Sequence, residues 1–491
     1  MKANIFSYTA LSLFSILILF GACQPEKKFQ ELDSSQLFDA YEKYKEESVS
    51  QRRFKHAEVM PLIRDRANDD FQVEEIGKSV EGRSIFQMTW GNGPTKVMLW
   101  SQMHGNESTA TMALFDLSNF IEGKDDDYDE LRTFLKNELT IRFIPIVNPD
   151  GMDRWIRRNA LDIDLNRDAI SLASPEAVLL KNARDSFSPE FGFNLHDQST
   201  FYTVGDTEKP ATISVLAPAF NYETEVNDVR KRAMQVIAGM NELLQEVVPG
   251  HVGKYNDAFE PRAFGDNIQK WGTSTILIES GGFPNDPEKQ EIRKLNFLAM
   301  LHALQQIANE SYGKYSLETY YAIPDNSFRL MDVIIRNLQL SKGVFQYKAD
   351  IGIKRKESDV KGDFYVTGSI DDMGDLSIFY GYEELDASGF EIVQGKVFEE
   401  TFESSDAISK EKSFELLREG FLAIKVKEGD ELHGLPLLVL KNQTEIPEMI
   451  SIGNAPNFFL AKDGELKFAL VNGYLINLEN PKEVDFKQRL M

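Results

Sequence analysis

The chain has 491 residues, of which 42% are hydrophobic, and its 78 acidic and 54 basic side chains give a formal net charge of −24. That apolar share excludes a disordered or low-complexity chain, and the acidic balance argues against nucleic-acid binding through bulk charge. The single cysteine excludes an intramolecular disulfide and a cysteine-rich metal site.

The amino terminus has the pattern of a bacterial lipoprotein signal. Lys2 precedes an apolar run over residues 5–22, which ends in Phe-Gly-Ala directly before Cys23. Small residues before a cysteine resemble the lipobox, in which the cysteine is lipidated and becomes the mature amino terminus. We expect residues 1–23 to be a lipoprotein-type signal peptide and the mature protein to be tethered outside the cytoplasm, with the outer membrane favoured. An ordinary signal peptide and a membrane span ending in cysteine are the alternatives.

Residues 24–315 are predicted to form an α/β domain, because strand and helix patterns alternate along them. Apolar strands are predicted at 95–100, 139–147, 191–195 and 275–278, and an apolar helix at 109–121. Another helix is predicted to open with Asp286 as its cap and Pro287 in its first turn. This alternation is typical of an α/β/α sandwich built on a parallel or mixed sheet.

The hydrophobic pattern changes over residues 316–491 and predicts a smaller all-β domain. Short alternating apolar runs dominate, and only one convincing helix, at about 410–418, interrupts them. The segments 332–337, 349–354 and 471–473 faintly resemble the small β-sandwich of amidohydrolases. The barrel and metal histidines of that family are missing, so the resemblance implies no second active site.

Histidine placement predicts a metal site in the first domain. His104 is followed three residues later by Glu107, just past one predicted strand and at the opening of the next helix. That spacing puts an imidazole and a carboxylate on one side of the chain, at the sheet edge where ligands collect in open α/β folds. A catalytic zinc needs a third protein ligand, and His196 follows another predicted strand. The alternative for His196 is a purely structural histidine.

Several further motifs follow one another along the first domain. They are Gly-Asn-Glu after His104, Asn-Pro-Asp-Gly at 148–151, Asp-Leu-Asn-Arg at 164–167, the later His196 and a strand-ending Glu279. Over residues 70–310 the chain resembles the metallocarboxypeptidases of carboxypeptidase A type. The resemblance implies the fold of that family, a Zn²⁺ held by His104, Glu107 and His196, and a peptide substrate with a free carboxy-terminal carboxylate.

The resemblance also implies roles for the Asp-Leu-Asn-Arg segment. Asp164 would hold the ring of His104 in the tautomer that binds metal. Asn166 and Arg167 would grip the carboxylate of the substrate, which a planar guanidinium meets with two parallel hydrogen bonds.

The remaining implied residues belong to the chemical step. Arg158 would polarise the scissile carbonyl, and its spacing from Asn166 favours it over Arg157. Glu279 would be the general base for a zinc-activated water. Tyr255 matches the mobile substrate-binding tyrosine of the family, with a packing tyrosine as the alternative.

The leading prediction is therefore a zinc exopeptidase that removes carboxy-terminal residues from peptides outside the cytoplasm. One alternative is a related zinc amide hydrolase acting on small N-acyl amino acids. The other is a surface lipoprotein that binds peptides without hydrolysing them. Expected partners are the peptide substrate and, through Cys23, a membrane; no nucleic-acid partner is expected.

Overall fold

The computed structural model describes residues 29–68, 70–360, 362–441, 445–446 and 450–491. The predicted signal segment, with Cys23, lies outside these residues. Within the described ranges, no helix combines the length and the apolar character that a bilayer crossing requires.

An eight-stranded mixed sheet forms the centre of the first domain. The strands of this part of the chain are β1 (Phe71–Lys78), β2 (Ser84–Gly91), β3 (Thr95–Trp100), β4 (Leu139–Ile144), β5 (Phe191–Asp197), β6 (Tyr202–Val204), β7 (Ile213–Leu216), β8 (Val252–Lys254) and β9 (Ser274–Ser280). All except β6 lie in this sheet, in the order β1-β2-β4-β3-β5-β9-β7-β8. The four central strands, β4, β3, β5 and β9, run parallel, whereas β2 and β7 are antiparallel to the central strands beside them.

Helices cover both faces of this sheet. They are α1 (Ser34–Tyr44), α2 (His56–Arg64), α3 (Thr109–Glu122), α4 (Asp129–Glu138), α5 (Pro149–Arg154), α6 (Pro175–Phe187), α7 (Asp228–Val247), α8 (Phe264–Lys270), α9 (Gln290–Asn309) and α10 (Leu317–Tyr321). Strand β3 shows the layering, because side chains alternate between faces along a strand. Val97 and Leu99 share a core with α3 and α9, whereas Met98 and Trp100 share a second core with α6 and α8. The predicted α/β/α sandwich on a mixed sheet is confirmed.

One helix start differs from its prediction. Helix α9 begins at Gln290, so Pro287 lies before it rather than in its first turn. Asp286 still satisfies the helix start, because its carboxylate accepts hydrogen bonds from the backbone N–H groups of Gln290 and Glu291. Lys289 occupies the cap position, so the prediction of Asp286 as the cap residue was wrong, although its carboxylate binds the first N–H groups of the helix.

Residues 326–491, which we call the β-rich region, follow the first domain. Their strands are β10 (Asn326–Phe328), β11 (Leu330–Lys342), β12 (Phe345–Val360), β13 (Asp363–Gly374), β14 (Tyr380–Asp386), β15 (Glu391–Val393), β16 (Lys396–Phe402), β17 (Phe421–Val426), β18 (Leu432–His433), β19 (Leu438–Leu440), β20 (Phe458–Lys462), β21 (Glu465–Val471), β22 (Tyr474–Asn477) and β23 (Gln488–Arg489). Two four-stranded sheets, β13-β12-β11-β14 and β15-β20-β21-β22, share a hydrophobic core. The expected helix is α11 (Lys410–Arg418), and it connects the parallel strands β16 and β17. The region is thus rich in β-structure but contains one β-α-β unit.

The change of core falls slightly later than the predicted boundary at residue 316. Tyr320 on α10 and Ile323 are buried in the core of the first domain. Leu330 starts the long strand that opens the second set of sheets. The exact division into domains stays a prediction.

Candidate metal centre and active site

The parallel pairing of the central strands brings three distant segments of chain together. Strands β3, β5 and β9 are neighbours and point the same way, so the segments that follow them meet at one sheet edge. His104 lies in the turn between β3 and α3, and His196 lies near the end of β5. Glu279, near the end of β9, pairs in register with His196.

His104, Glu107 and His196, the His-Glu-His cluster, are buried, and each offers a ligand atom within 4.8 Å of the other two. Nδ1 of His104 lies 2.8 Å from Oε1 of Glu107, and Nδ1 of His196 lies 2.7 Å from Oε2 of the same carboxylate. The two Nδ1 atoms are 3.2 Å apart. Zinc bonds of about 2 Å in tetrahedral geometry place two ligand atoms about 3.3 Å apart. Donor types and spacing therefore both fit Zn²⁺.

A carboxylate holds the far side of one of these rings. Nε2 of His104 lies 3.0 Å from Oδ1 of Asp164, which also accepts the backbone N–H of Asn166 and so caps the short 3₁₀ turn Leu165–Arg167. A ring that donates Nε2–H to Asp164 keeps its Nδ1 lone pair directed into the cluster. The contact is the one that the implied role of Asp164 requires.

Burial and neighbouring charges shift the pKa values of the cluster residues in opposite directions. Burial lowers the pKa of His104, but the charge of Glu107 and hydrogen bonds to Asp164 and Glu107 outweigh it, so the pKa is raised. Burial dominates at His196 and lowers its pKa. Burial also works against ionisation of Glu107, yet the charge of His104 and the hydrogen bonds from both rings keep the pKa of Glu107 below its ordinary value. The carboxylate is thus ionised and attracts positive charge, whether on a protonated imidazole or on a metal ion.

Glu279 is a further buried acid that faces this cluster. Burial is the main cause that raises its pKa well above the ordinary value, and the charges of Glu107 and Asp197 raise it further. A divalent cation held at the cluster would lower the pKa of Glu279, toward the range in which a carboxylate works as a general base.

Arg157, rather than the predicted Arg158, contacts the cluster, and which of the two polarises the scissile carbonyl stays a prediction. Nη1 of Arg157 lies 3.2 Å from Oε1 of Glu107, and its Nε lies 3.0 Å from Oδ2 of Asp164. Arg158 is exposed, and its Nη1 donates to the carbonyl of Asp162 at 2.8 Å. Arg157 and Arg158 lie in a bend outside any regular element, so spacing along the chain did not reveal which side chain faces the cluster.

The two residues assigned to the substrate carboxylate lie beside the cluster. Nδ2 of Asn166 is 3.4 Å from Nε2 of His196, and its Oδ1 accepts the backbone N–H of Phe264. Arg167 is 37% exposed at its side chain, and its Nε lies 3.2 Å from Oε2 of Glu260. The pair is thus anchored at Asn166 and open to solvent at Arg167, and its role stays a prediction.

Tyr255 follows β8 and lies near Glu279 and Glu107. Its backbone N–H bonds to the carbonyl of Val215, and its ring meets that of Tyr202 edge-on at 6.2 Å. Burial, followed by the charges of Glu279 and Tyr202, raises the pKa of its hydroxyl. A substrate-binding role and a packing role both remain compatible with this position.

Sequence reasoning missed a buried ion pair behind the cluster. Nζ of Lys289 lies 2.9 Å from Oδ2 of Asp197 and donates to the carbonyl of Ser280 at 3.1 Å. Asp197 and Ser280 directly follow His196 and Glu279, so this lysine ties the two strand ends together. The position of Asp197 next to a candidate ligand was the available signal, but nothing local identified Lys289 as its partner.

Residues 57–210 match the family model described as zinc carboxypeptidase. An uncharacterized protein of Zymomonas mobilis is 30% identical over 127 residues, which cover 25% of this chain and 33% of that protein. Carboxypeptidase E of Caenorhabditis elegans is 34% identical over 119 residues, covering 20% and 25% respectively. Probable carboxypeptidase 2 of Trichophyton verrucosum is 25% identical over 161 residues, covering 32% and 28%. The chain thus spans a third or less of the length of these curated relatives.

Solved structures of similar shape include a metallo-carboxypeptidase from Burkholderia cenocepacia, with a TM-score of 0.43 and 19% identity over 52% of this chain and 70% of that chain. The carboxypeptidase A from Helicoverpa armigera has a TM-score of 0.41 and 17% identity over 57% of this chain and 80% of that chain.

Proposed function

We propose that this protein, whose residues 57–210 match the family model described as zinc carboxypeptidase, is a zinc-dependent exopeptidase that hydrolyses the carboxy-terminal peptide bond of peptides. The observation that carries the proposal is the buried His-Glu-His cluster with Glu279 on the neighbouring strand. Two imidazoles and one carboxylate are a ligand set of catalytic zinc, and three protein ligands leave a position open for water. When bound there, zinc polarises a carbonyl and lowers the pKa of water.

The residues of the chain divide the remaining work. Glu279 takes the proton of the attacking water and passes it to the departing amine. Arg157 places a guanidinium beside the cluster, where it can stabilise negative charge developing on the scissile carbonyl oxygen. Asn166 and Arg167 hold the terminal carboxylate of the peptide and so restrict cleavage to the last residue. Asp164 keeps His104 oriented.

We also propose that the protein works outside the cytoplasm, anchored by lipid on Cys23. The support is the sequence pattern of residues 1–23. Expression in a bacterial host with a radiolabelled fatty acid should label the wild-type chain, and Cys23→Ser should abolish the label. Equal labelling of both chains would contradict the anchor.

A random peptide pool tests the reaction directly. We expect mass spectrometry to show loss of single carboxy-terminal residues, to stop when a chelator is added, and to resume with Zn²⁺. Peptides with an amidated carboxy terminus serve as the matched control and should stay intact. Cleavage of small N-acyl amino acids alone would favour the amide hydrolase, and zinc binding without any hydrolysis would favour the non-catalytic binding protein.

A further inference from the structure

The β-rich region contacts the loop that follows strand β5 at the metal centre. This loop, residues 198–201, follows His196 by only a few residues. The hydroxyl of Tyr382 on β14 donates a hydrogen bond to the carbonyl of Thr200 at 2.5 Å. A side chain of one region therefore holds the backbone that continues from a candidate metal ligand of the other.

The same hydroxyl lies against the segment that leaves the candidate base. Gly282 comes three residues after Glu279, and a Cβ atom at this glycine would lie 2.1 Å from Oη of Tyr382. Only glycine lets the phenol approach this backbone so closely. Tyr382 thus contacts the continuations of two neighbouring strands, β5 and β9, at the edge where the chemistry is assigned.

Other contacts hold the same loop from the same side. The carbonyl of Phe201 accepts the backbone N–H of Leu330 at 2.9 Å, and Nζ of Lys354 lies 5.1 Å from the centre of the Phe201 ring. Nδ2 of Asn326 donates to Oε1 of Gln198 at 3.0 Å. The loop is therefore held at several points by the β-rich region.

A second set of contacts reaches the chain beside Glu107, another candidate ligand. Ser108, which follows Glu107, donates its hydroxyl to the carbonyl of Arg52 at 2.7 Å. Arg52 and Arg53 both pair with the carboxylate of Glu357 on β12, with Nη2 of Arg53 at 2.6 Å from Oε2. The β-rich region consequently supports the chain next to each of the segments that carry His196, Glu279 and Glu107.

We propose that the β-rich region is part of the active-site scaffold and that Tyr382 is a positioning residue for His196 and Glu279. The inference rests on the proposed function, since it assigns metal binding and proton transfer to those two residues. Side chains that orient metal ligands contribute about 10- to 100-fold to affinity or activity, and small displacements of reacting groups are costly. Burial raises the pKa of the Tyr382 hydroxyl, so this group stays protonated and remains a donor.

Comparison of two tyrosine variants of the full chain tests the proposal. Tyr382→Phe removes only the hydroxyl. Tyr380→Phe is the matched control, because the Tyr380 hydroxyl also donates across to the first domain, at 3.1 Å to the carbonyl of Asp206, away from the continuations of β5 and β9. We expect Tyr382→Phe to raise the Kd for Zn²⁺ about 3- to 10-fold and to lower kcat about tenfold with KM unchanged. Tyr380→Phe should change each value less than twofold.

The readouts are Zn²⁺ competition against a chromophoric chelator, the visible spectrum of the Co²⁺-substituted protein, and peptide hydrolysis. Tyr382→Phe should shift the Co²⁺ spectrum and Tyr380→Phe should not. Gly282→Ala, which keeps the hydroxyl but displaces it, should shift the spectrum in the same way as Tyr382→Phe.

Identical behaviour of the two tyrosine variants, or an unchanged Kd and spectrum in Tyr382→Phe, would overturn the inference. A wild-type chain that binds Zn²⁺ but hydrolyses no peptide would instead overturn the proposed function, while the Kd and spectral comparison would still decide the role of Tyr382.

Discussion

Two neighbouring arginines show how much one position along the chain matters at the residue scale. Arg157 contacts Glu107 and Asp164, whereas Arg158 bonds to the carbonyl of Asp162. Both carry the same charge, so a difference between them measures position alone.

Substitution of this pair should therefore give unequal losses. Arg157→Ala should lower kcat/KM about 100-fold, because a charged donor aimed at the developing negative charge is lost. Arg158→Ala should lower it less than threefold. Steady-state hydrolysis of one tripeptide by both variants is the measurement. A larger loss from Arg158→Ala than from Arg157→Ala would instead assign the stabilising role to Arg158.

Glu279 should separate turnover from metal binding. Glu279→Gln keeps the shape of the side chain but cannot accept a proton, so kcat should fall by about 10³-fold or more while one Zn²⁺ per chain is retained. Peptide hydrolysis and metal analysis of the dialysed protein check both parts. Glu190→Gln, an exposed acid just before β5 and at its opposite end, is the control and should match the wild type. Loss of zinc from Glu279→Gln would indicate a ligand rather than a base.

At the scale of single elements, the short strand β18 carries a titratable group with no catalytic assignment. Burial lowers the pKa of His433 from 6.5 to about 4. Its Nδ1 accepts the backbone N–H of Leu435, which is the arrangement of a neutral ring. The folded protein thus resists a protonation that the unfolded chain accepts.

This difference predicts acid sensitivity of the β-rich region. The unfolded chain binds more protons between pH 6.5 and about 4, so the stabilisation is complete above pH 6.5 and is lost as the pH falls through that range. The difference between the two pKa values corresponds to a loss of about 3 kcal/mol in the free energy of unfolding. Denaturant unfolding of wild type and His433→Asn at pH 7 and pH 4.5 should show a smaller decline for the variant. Parallel declines would place the acid sensitivity elsewhere.

At the scale of the whole molecule, ion pairs between distant parts of the chain join the β-rich region to the first domain. Glu357 pairs with both Arg52 and Arg53, whose side chains are about 15% exposed. Burial works against ionisation of Glu357, but the two arginines outweigh it and lower its pKa. The carboxylate therefore pairs with two cations that have little access to water, and Asp359 is a second anionic partner of Arg53.

Removal of this carboxylate should weaken the whole assembly. Glu357→Gln removes the carboxylate that pairs with Arg52 and one of the two carboxylates that pair with Arg53, and it should lower the free energy of unfolding by about 2 kcal/mol. Glu403→Gln breaks an exposed pair with Lys427 and should cost less than about 0.5 kcal/mol. Denaturant titrations of both variants are the measurement. An equally small effect at Glu357 would mean that solvent screens this pair too.

Much of the first domain was predictable from local pattern, and the reasons are visible in particular residues. The alternating apolar run of β3 and the charged, amphipathic run of α11 determine their own secondary structure, since hydrophobic periodicity is a local property. His104, Glu107, His196 and Glu279 were selected because each follows or opens an element at the carboxyl edge of a parallel sheet, and the fold brings these side chains together. Whether they perform the assigned chemistry stays a prediction.

Tertiary structure alone decided which side chains meet across long separations. Arg157 rather than Arg158 faces the cluster, Lys289 reaches Asp197, and Tyr382 reaches Thr200 from a different sheet. The direction of a side chain in an irregular segment depends on what packs against it, and a partner 182 residues away leaves no trace in local periodicity. Residue types and their order thus determined the elements and the candidate ligands, whereas the packing of those elements determined the neighbours that orient them.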